Sequence, residues 1–180
     1  RIIVLGIMRS GTSLTAELIR LWGAYGGGEN NLWKSDIKDS RGYGYMEYIP
    51  LQELNDELLD HNDRLPPPNE LLEERASDPA FREKALKLIQ RMDQEAAKNN
   101  LDTWVWKDAR LPLPLPFWVK FWDDTIYVIT IRHPAEVALS SAKTEELDQD
   151  NLPFSAGLIY WQYCMLNILS FTQESRHKIF

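Results

Sequence analysis

Residues 4–13 read Val-Leu-Gly-Ile-Met-Arg-Ser-Gly-Thr-Ser, and this stretch decides how the chain folds. The apolar run 2–5 predicts a strand that enters a tight loop over residues 6–11, which begins and ends with glycine. Residues 12–23 then predict a helix. Strand, glycine loop and helix form a phosphate-binding layout, because loop amides converge and the helix N-terminus adds partial positive charge. The apolar residues at helical spacing are Leu14, Leu18, Ile19 and Leu21.

The loop has the length of a Walker A loop but lacks its lysine. The position that holds Lys in that motif is Thr12. P-loop NTPases use this Lys on the β- and γ-phosphates of the nucleotide. The cation here is Arg9, which lies inside the loop. The sequence therefore predicts a cradle for a phosphate-like anion that is poorly suited to ATP hydrolysis.

Two further stretches combine a predicted strand with a basic residue at its end. Residues 126–140 read Ile-Tyr-Val-Ile-Thr-Ile-Arg-His-Pro-Ala-Glu-Val-Ala-Leu-Ser, and residues 106–111 read Trp-Lys-Asp-Ala-Arg-Leu. In a doubly wound parallel sheet, ligands bind beyond the carboxyl ends of the strands. We therefore expect Arg9, Lys107 and Arg132 to reach one edge of such a sheet.

Strand and helix patterns alternate along the rest of the chain. Residues 24–46 lack periodicity and predict a long loop, and three consecutive prolines, 66–68, predict a break that forms a lid or connector. Further strands are predicted over 103–106, 125–131 and from residue 177, and helices over 49–60, 79–98, 115–122, 134–143 and from 151–153 to about 174.

These three motif stretches together resemble the sulfotransferase family. The family's first signature is a strand followed by Arg/Lys-Ser-Gly-Thr-Ser/Thr, which residues 9–13 match. Its second is a strand ending in Arg, then x-Pro, with a Ser eight residues after the Arg. The matching residues are Arg132, Pro134 and Ser140. Residues 107–109 are similar to the Lys-Asp-Pro of tyrosylprotein and several bacterial sulfotransferases, with Ala replacing Pro. The resemblance covers roughly residues 1–145, in the family's order.

The resemblance implies a three-layer, P-loop-like α/β fold and the donor 3′-phosphoadenosine 5′-phosphosulfate (PAPS). This donor needs two anion sites, one for the 5′-phosphosulfate and one for the 3′-phosphate. Arg132 and Ser140 suit the 3′-phosphate, because Arg can fork onto phosphate oxygens while Ser donates from the helix. The loop residues assigned to the 5′-phosphosulfate are Arg9, Ser10, Gly11, Thr12 and Ser13.

Sulfuryl transfer spreads negative charge onto the transferred group and onto the leaving phosphate oxygen. On the basis of this resemblance, we expect Lys107 to donate a hydrogen bond to the leaving oxygen. We expect Arg9 to reach the sulfuryl or 5′-phosphate oxygens. No acidic motif follows a strand in Walker B fashion, so no metal is expected.

The acceptor hydroxyl needs a general base within hydrogen-bond reach. Glu47 ends Gly-Tyr-Met-Glu, which is similar to a Gly-aromatic-x-Glu of bacterial relatives, and Glu29 follows the first helix as a Glu does in the tyrosylprotein branch. These two residues rank nearly level, with Glu47 ahead, because the preceding glycines would let the backbone turn its carboxylate inward. Asp108 ranks third, and a structural hydrogen bond near the loop is the stronger expectation for it.

Composition limits the partners and the setting. The formal net charge of −7 argues against a nucleic-acid partner, and one cysteine, Cys164, excludes an internal disulfide and favours a cytoplasmic setting. The very apolar stretch 157–171 is too short to span a bilayer and predicts a core helix. We expect a single domain over residues 1–180 that lacks a later, glycine-containing segment. The expected acceptor is a small molecule with a hydroxyl, and the oligomeric state stays open.

Two other functions compete with the sulfotransferase. An ATP-dependent kinase of small molecules or nucleotides would use the same loop, but the missing Walker lysine disfavours it. A non-catalytic, anion-binding P-loop domain would keep the cradle without turnover.

Overall fold

A computed structural model gives the fold of this chain. It describes residues 1–28, 31–32, 47–61, 66–145, 154–173 and 178–179. The strands are β1 (Ile2–Leu5), β2 (Val105–Lys107), β3 (Ile126–Ile129) and β4 (Lys178–Ile179). The helices are α1 (Thr12–Leu21), α2 (Ile49–Leu58), α3 (Asn69–Ser77), α4 (Pro79–Lys98), α5 (Leu115–Trp118), α6 (Pro134–Glu145) and α7 (Phe154–Gln173).

The four strands form one parallel sheet in the order β2-β1-β3-β4, which confirms the α/β prediction. Val4 pairs with Lys107 on one side and with Val128 on the other. The chain therefore moves from β1 to one neighbour and later returns to the opposite neighbour. In sheets of this kind ligands usually bind outside the carboxyl ends of the strands at such a reversal, which here lies between β1 and β3.

Helices cover both faces of the sheet, because the side chains of β1 alternate between them. Ile2 and Val4 face α1 together with Val105 and Val128, packing against Ala16 and Ile19 of that helix. The opposite face carries the larger core, to which α2, α3, α4, α5 and α7 contribute. Its sheet residues are Ile3, Leu5, Trp104, Trp106, Tyr127 and Ile129.

The buried face of α1 shares only Ile19 with the apolar stripe in its sequence. Leu14, Leu18 and Leu21 are exposed by 66%, 42% and 65%, whereas Ala16 and Ile19 are buried. The small Ala16 lies on the face that packs on the sheet, and the three leucines lie on the opposite side of the helix. Helical periodicity thus predicted the helix correctly but did not identify which face is covered.

Most other predicted elements are confirmed, with shifted ends. The helix over 79–98 is capped by Asp78, whose side chain accepts a hydrogen bond from the Ala80 amide at 2.7 Å. The helix predicted over 115–122 ends at residue 118, and α3 was not predicted at all. It begins directly after Pro68, where the sequence indicated only a break. No helix among the described residues is long and apolar enough to cross a membrane.

Candidate functional site

The loop after β1 is closed by contacts that only glycine permits at its first position. A Cβ atom on Gly6 would lie 2.1 Å from the hydroxyl oxygen of Thr130. Thr130 follows β3, and its amide donates to the Leu5 carbonyl at 2.8 Å. The hydroxyl of Ser10 donates to the Ile7 carbonyl at 2.6 Å and lies 2.9 Å from that of Thr130. The loop is therefore fastened to the end of β3.

Arg9 holds an unusual backbone conformation within this loop. Its φ is 67°, in the left-handed region that disfavours residues with a side chain. The other described non-glycine residues with positive φ are Asp60, His61, Asn100 and Asp124, all of types enriched there. Backbone strain of this kind costs on the order of 1–3 kcal/mol and is concentrated at functional sites.

Arg9, Arg132 and Ser140, which we call the arginine cluster, meet beside the loop. The Nε of Arg9 donates to the hydroxyl of Ser140 at 2.9 Å, across 131 positions of the chain. Arg132 Nη1 donates to the carbonyl oxygen of Arg9 at 3.1 Å. The structure thus brings together residues that the sequence placed in two separate motifs. Within the described residues, the terminal nitrogens of Arg9 have no partner.

Packing of α7 against α6 fixes the position of this cluster. A Cβ on Gly157 of α7 would lie 3.0 Å from the Cβ of Ala138 on α6, so the two helices are in close contact. The indole N–H of Trp161 donates to the Arg132 carbonyl at 3.2 Å. Arg132 itself lies at the surface and pairs with Glu136 at 2.9 Å. Its guanidinium is therefore accessible and only weakly held.

The N-terminus of α1 completes this part of the site. Gly11, at φ 98°, precedes the helix, which has no side-chain cap and no acidic residue in its first turn. Thr12 is buried, and Ser13 is partly exposed. Two guanidinium groups, hydroxyl groups and a helix N-terminus are donors that suit a phosphate-like anion.

A second group, which we call the lysine cluster (Lys107, Glu47 and Gln52), lies at the end of β2. Lys107 is only 2% exposed and Glu47 only 8%. The ammonium of Lys107 donates to Glu47 Oε1 at 2.5 Å, and the Ala109 amide donates to the same oxygen at 3.2 Å. Gln52 Nε2 donates to Glu47 Oε2 at 2.5 Å. Two residues that the sequence assigned to catalysis thus form one buried ion pair.

Asp108 anchors the segment that carries Lys107. Its Oδ2 accepts from Asn55 Nδ2 at 3.0 Å, and its Oδ1 accepts from the Arg110 amide at 2.8 Å. Asn55 in turn accepts from the indole of Trp118 at 2.8 Å, which joins the site to the core. The guanidinium of Arg110 pairs with the carboxylates of Asp108 and Asp56. Asp108 thus has a structural role, with partners on α2 and in its own turn rather than in the loop after β1.

Glu29, the loop that contains it and Tyr48 remain to be described. Glu29 and most of the predicted loop over 24–46 lie outside the described residues. Tyr48, which directly follows Glu47, is buried in the core. Burial and, after it, the Glu95 carboxylate raise the pKa of Tyr48 to about 12, and Arg91 opposes them.

Sequence reasoning missed Gln52, Asn55, Thr130 and Glu136, all of which contact predicted site residues. One signal was available for Gln52. It follows Glu47 by five positions, which is the spacing of the known contact between the residue before a helix N-cap and the fourth residue of the helix. The other contacts are made between distant parts of the chain or on a helix surface and have no local signature.

The described residues contain no group of three or more His, Cys, Asp or Glu that could hold a metal ion. The expectation that no metal is required stays a prediction. No model of a known protein family, no curated protein and no solved structure matches this chain. The family resemblance therefore rests on the three sequence motifs alone.

Proposed function

We propose that this chain is a PAPS-dependent sulfotransferase that acts on a hydroxyl of a small-molecule acceptor. The observation that carries the proposal is the hydrogen bond from Arg9 to Ser140. It joins the first and last motifs at the reversal point of a parallel sheet, where such folds bind ligands. A P-loop-like fold and a cytoplasmic setting belong to the same proposal.

The arginine cluster and the loop after β1 would hold the two anionic ends of the donor. The residues proposed to contact it are Arg9, Ser10, Gly11, Thr12, Ser13, Arg132 and Ser140. The donor supplies an activated sulfuryl group: its S–O bond to phosphate breaks, a new S–O bond forms to the acceptor oxygen, and 3′,5′-ADP leaves. The exposed Arg132–Glu136 pair supports this use of Arg132, because surface ion pairs contribute only about 0–1 kcal/mol and are easily exchanged.

The lysine cluster would act on the proton and on the developing charge. Glu47 accepts the proton of the acceptor hydroxyl, and Lys107 stabilises the charge on the leaving oxygen. The ion pair between the Glu47 carboxylate and the Lys107 ammonium at the carboxyl end of β2 supports this assignment. The low exposure of both groups strengthens their electrostatic interactions.

One observation favours a second function, a non-catalytic anion-binding domain. The Lys107–Glu47 pair is buried and hydrogen-bonded on both carboxylate oxygens, as a purely structural ion pair would be. A kinase has less support, because Thr12 stands at the Walker lysine position.

Transfer of radiolabelled sulfate from PAPS to a panel of phenols, alcohols and sugars tests the proposal. The expected result is a labelled acceptor and an equal amount of 3′,5′-ADP, without added metal. A parallel reaction with ATP and Mg²⁺ should transfer no phosphate. Tight 3′,5′-ADP binding without transfer to any acceptor would favour the non-catalytic domain, and phosphate transfer would favour the kinase.

A further inference from the structure

Gln52 occupies a defined position relative to Glu47 at the start of α2. Tyr48 is the N-cap of this helix, so Glu47 is the residue before the cap and Gln52 is the fourth helical residue. In many helices these two positions carry hydrophobic side chains that pack together and fix the direction of the entering chain. Here the same geometry brings the Gln52 amide 2.5 Å from Glu47 Oε2. The contact therefore orients a carboxylate, where other helices have a hydrophobic contact.

The hydrogen bonds of Glu47 leave its two oxygens unequal. An ionised carboxylate has about four lone-pair positions, two on each oxygen. Oε1 accepts from the Lys107 ammonium and from the Ala109 amide, which fills both of its positions. Oε2 accepts only from Gln52 among the described residues. The remaining lone pair for an incoming proton is therefore on Oε2, the oxygen that Gln52 holds.

The first turn of α2 keeps Gln52 in place. Pro50 lies in this turn, and the amides of Leu51 and Gln52 both donate to the Tyr48 carbonyl, at 2.9 and 3.2 Å. Leu51 is fully buried in the main core. Since its neighbour is fixed in this way, Gln52 has little backbone freedom to move its amide away from Glu47. Groups on such a rigid element can hold a catalytic side chain to within a fraction of an ångström.

We infer that Gln52 is a positioning residue that fixes Oε2 of Glu47 as the oxygen that accepts the acceptor's proton. This inference rests on the proposed function, since it concerns how the proposed base is held. Without the Gln52 donor, the carboxylate is held on one oxygen only and can rotate about its bond to the side chain. A displacement of the base by about 1 Å is enough to slow a reaction up to about 100-fold.

Gln52→Met tests this role, because Met keeps the length of the side chain but removes the donor. We expect kcat to fall about tenfold, while the KM values for PAPS and for the acceptor stay within about twofold. The matched control is Gln90→Met, at an exposed position of α4, which should leave kcat unchanged. If Gln52→Met does not fold, Gln52→Glu keeps the shape and places a carboxylate against Oε2, and it should lower kcat further.

A double-mutant cycle separates positioning from a merely structural role. In a Glu47→Gln background, Gln52→Met should cause no further loss of kcat, because its effect acts through Glu47. If the two substitutions lower kcat by independent factors that multiply in the double variant, the positioning role is overturned. An unchanged kcat in Gln52→Met alone would overturn it too. Either result leaves the proposed function intact. Absence of sulfate transfer by the unaltered chain would overturn both.

Discussion

The arginine cluster and the lysine cluster lie at the same end of one sheet but are held in opposite ways. The side chain of Arg132 is 43% exposed and pairs with the exposed carboxylate of Glu136, in the first turn of α6. The side chain of Lys107 is 2% exposed and pairs with a carboxylate 60 positions away. The first cluster can exchange its partners for a ligand at small cost, whereas the second cannot lose a partner without leaving a buried charge.

This difference indicates a division of roles between the clusters. An exposed guanidinium group beside a helix N-terminus is suited to bind and release an anion. A buried pair whose carboxylate is hydrogen-bonded on both oxygens is suited to stay in one geometry throughout a reaction. Substitutions in the lysine cluster should therefore affect turnover and stability, and those in the arginine cluster should affect nucleotide affinity.

The largest effect is expected for Glu47→Gln. Loss of a positioned base should lower kcat on the order of 10²- to 10⁴-fold, while calorimetry should find 3′,5′-ADP binding unchanged. Glu53→Gln, at an exposed position of α2, is the matched control and should keep full activity. Glu29→Gln should also stay active. Activity retained in Glu47→Gln but lost in Glu29→Gln would move the base to Glu29.

Lys107→Ala should reduce both turnover and stability. We expect kcat to fall roughly 10²- to 10³-fold through loss of the donor to the leaving oxygen. Chemical denaturation should also show a loss of about 3–5 kcal/mol in the free energy of unfolding, because Glu47 is left buried without its cation.

The control for this substitution is Lys120→Ala. Lys120 lies 3.9 Å from Glu73 in an exposed pair, and its loss should change the unfolding free energy by less than about 1 kcal/mol. If Lys107→Ala and Lys120→Ala lower the free energy of unfolding equally, Lys107 and Glu47 do not form a buried ion pair. An unchanged kcat in a folded Lys107→Ala would remove Lys107 from the catalytic machinery.

Ser140→Ala should have the smallest effect. It removes one hydrogen bond to Arg9 and should weaken 3′,5′-ADP binding by about 1 kcal/mol, roughly fivefold in Kd. Ser170→Ala, exposed on α7, provides the comparison. A loss in Ser140→Ala as large as that expected for an arginine would mean that Ser140 organises the whole cluster.

The sequence predicted the arginine cluster better than the lysine cluster, for a physical reason. Because the strands are parallel, the residues that follow their carboxyl ends converge at one edge of the sheet. Recognising the alternation of strands and helices in the sequence is therefore enough to predict that these residues lie close together. Arg9, Arg132 and Ser140 follow from this rule and from motif spacing. The partners of Lys107 do not, because Glu47 and Gln52 reach it from the start of α2 through tertiary packing.

The same limit explains the errors in the fold. The leucines of α1 mark an amphipathic helix, but the sheet covers the side that carries Ala16. Helix α3 is polar and follows three prolines, so neither its periodicity nor its start gave a clear signal. Local patterns predict that an element exists, while the contacts it makes depend on what the rest of the chain places against it.

The arginine cluster is proposed to bind the 3′-phosphate of a PAPS-type nucleotide. Calorimetric titration of the unaltered chain and of Arg132→Ala with 3′,5′-ADP and with 5′-AMP tests it most directly. We predict that Arg132→Ala weakens 3′,5′-ADP binding by about 2–4 kcal/mol, roughly 30- to 1,000-fold, and changes 5′-AMP binding much less. Equal losses for both nucleotides, or no preference of the unaltered chain for 3′,5′-ADP, would contradict the claim.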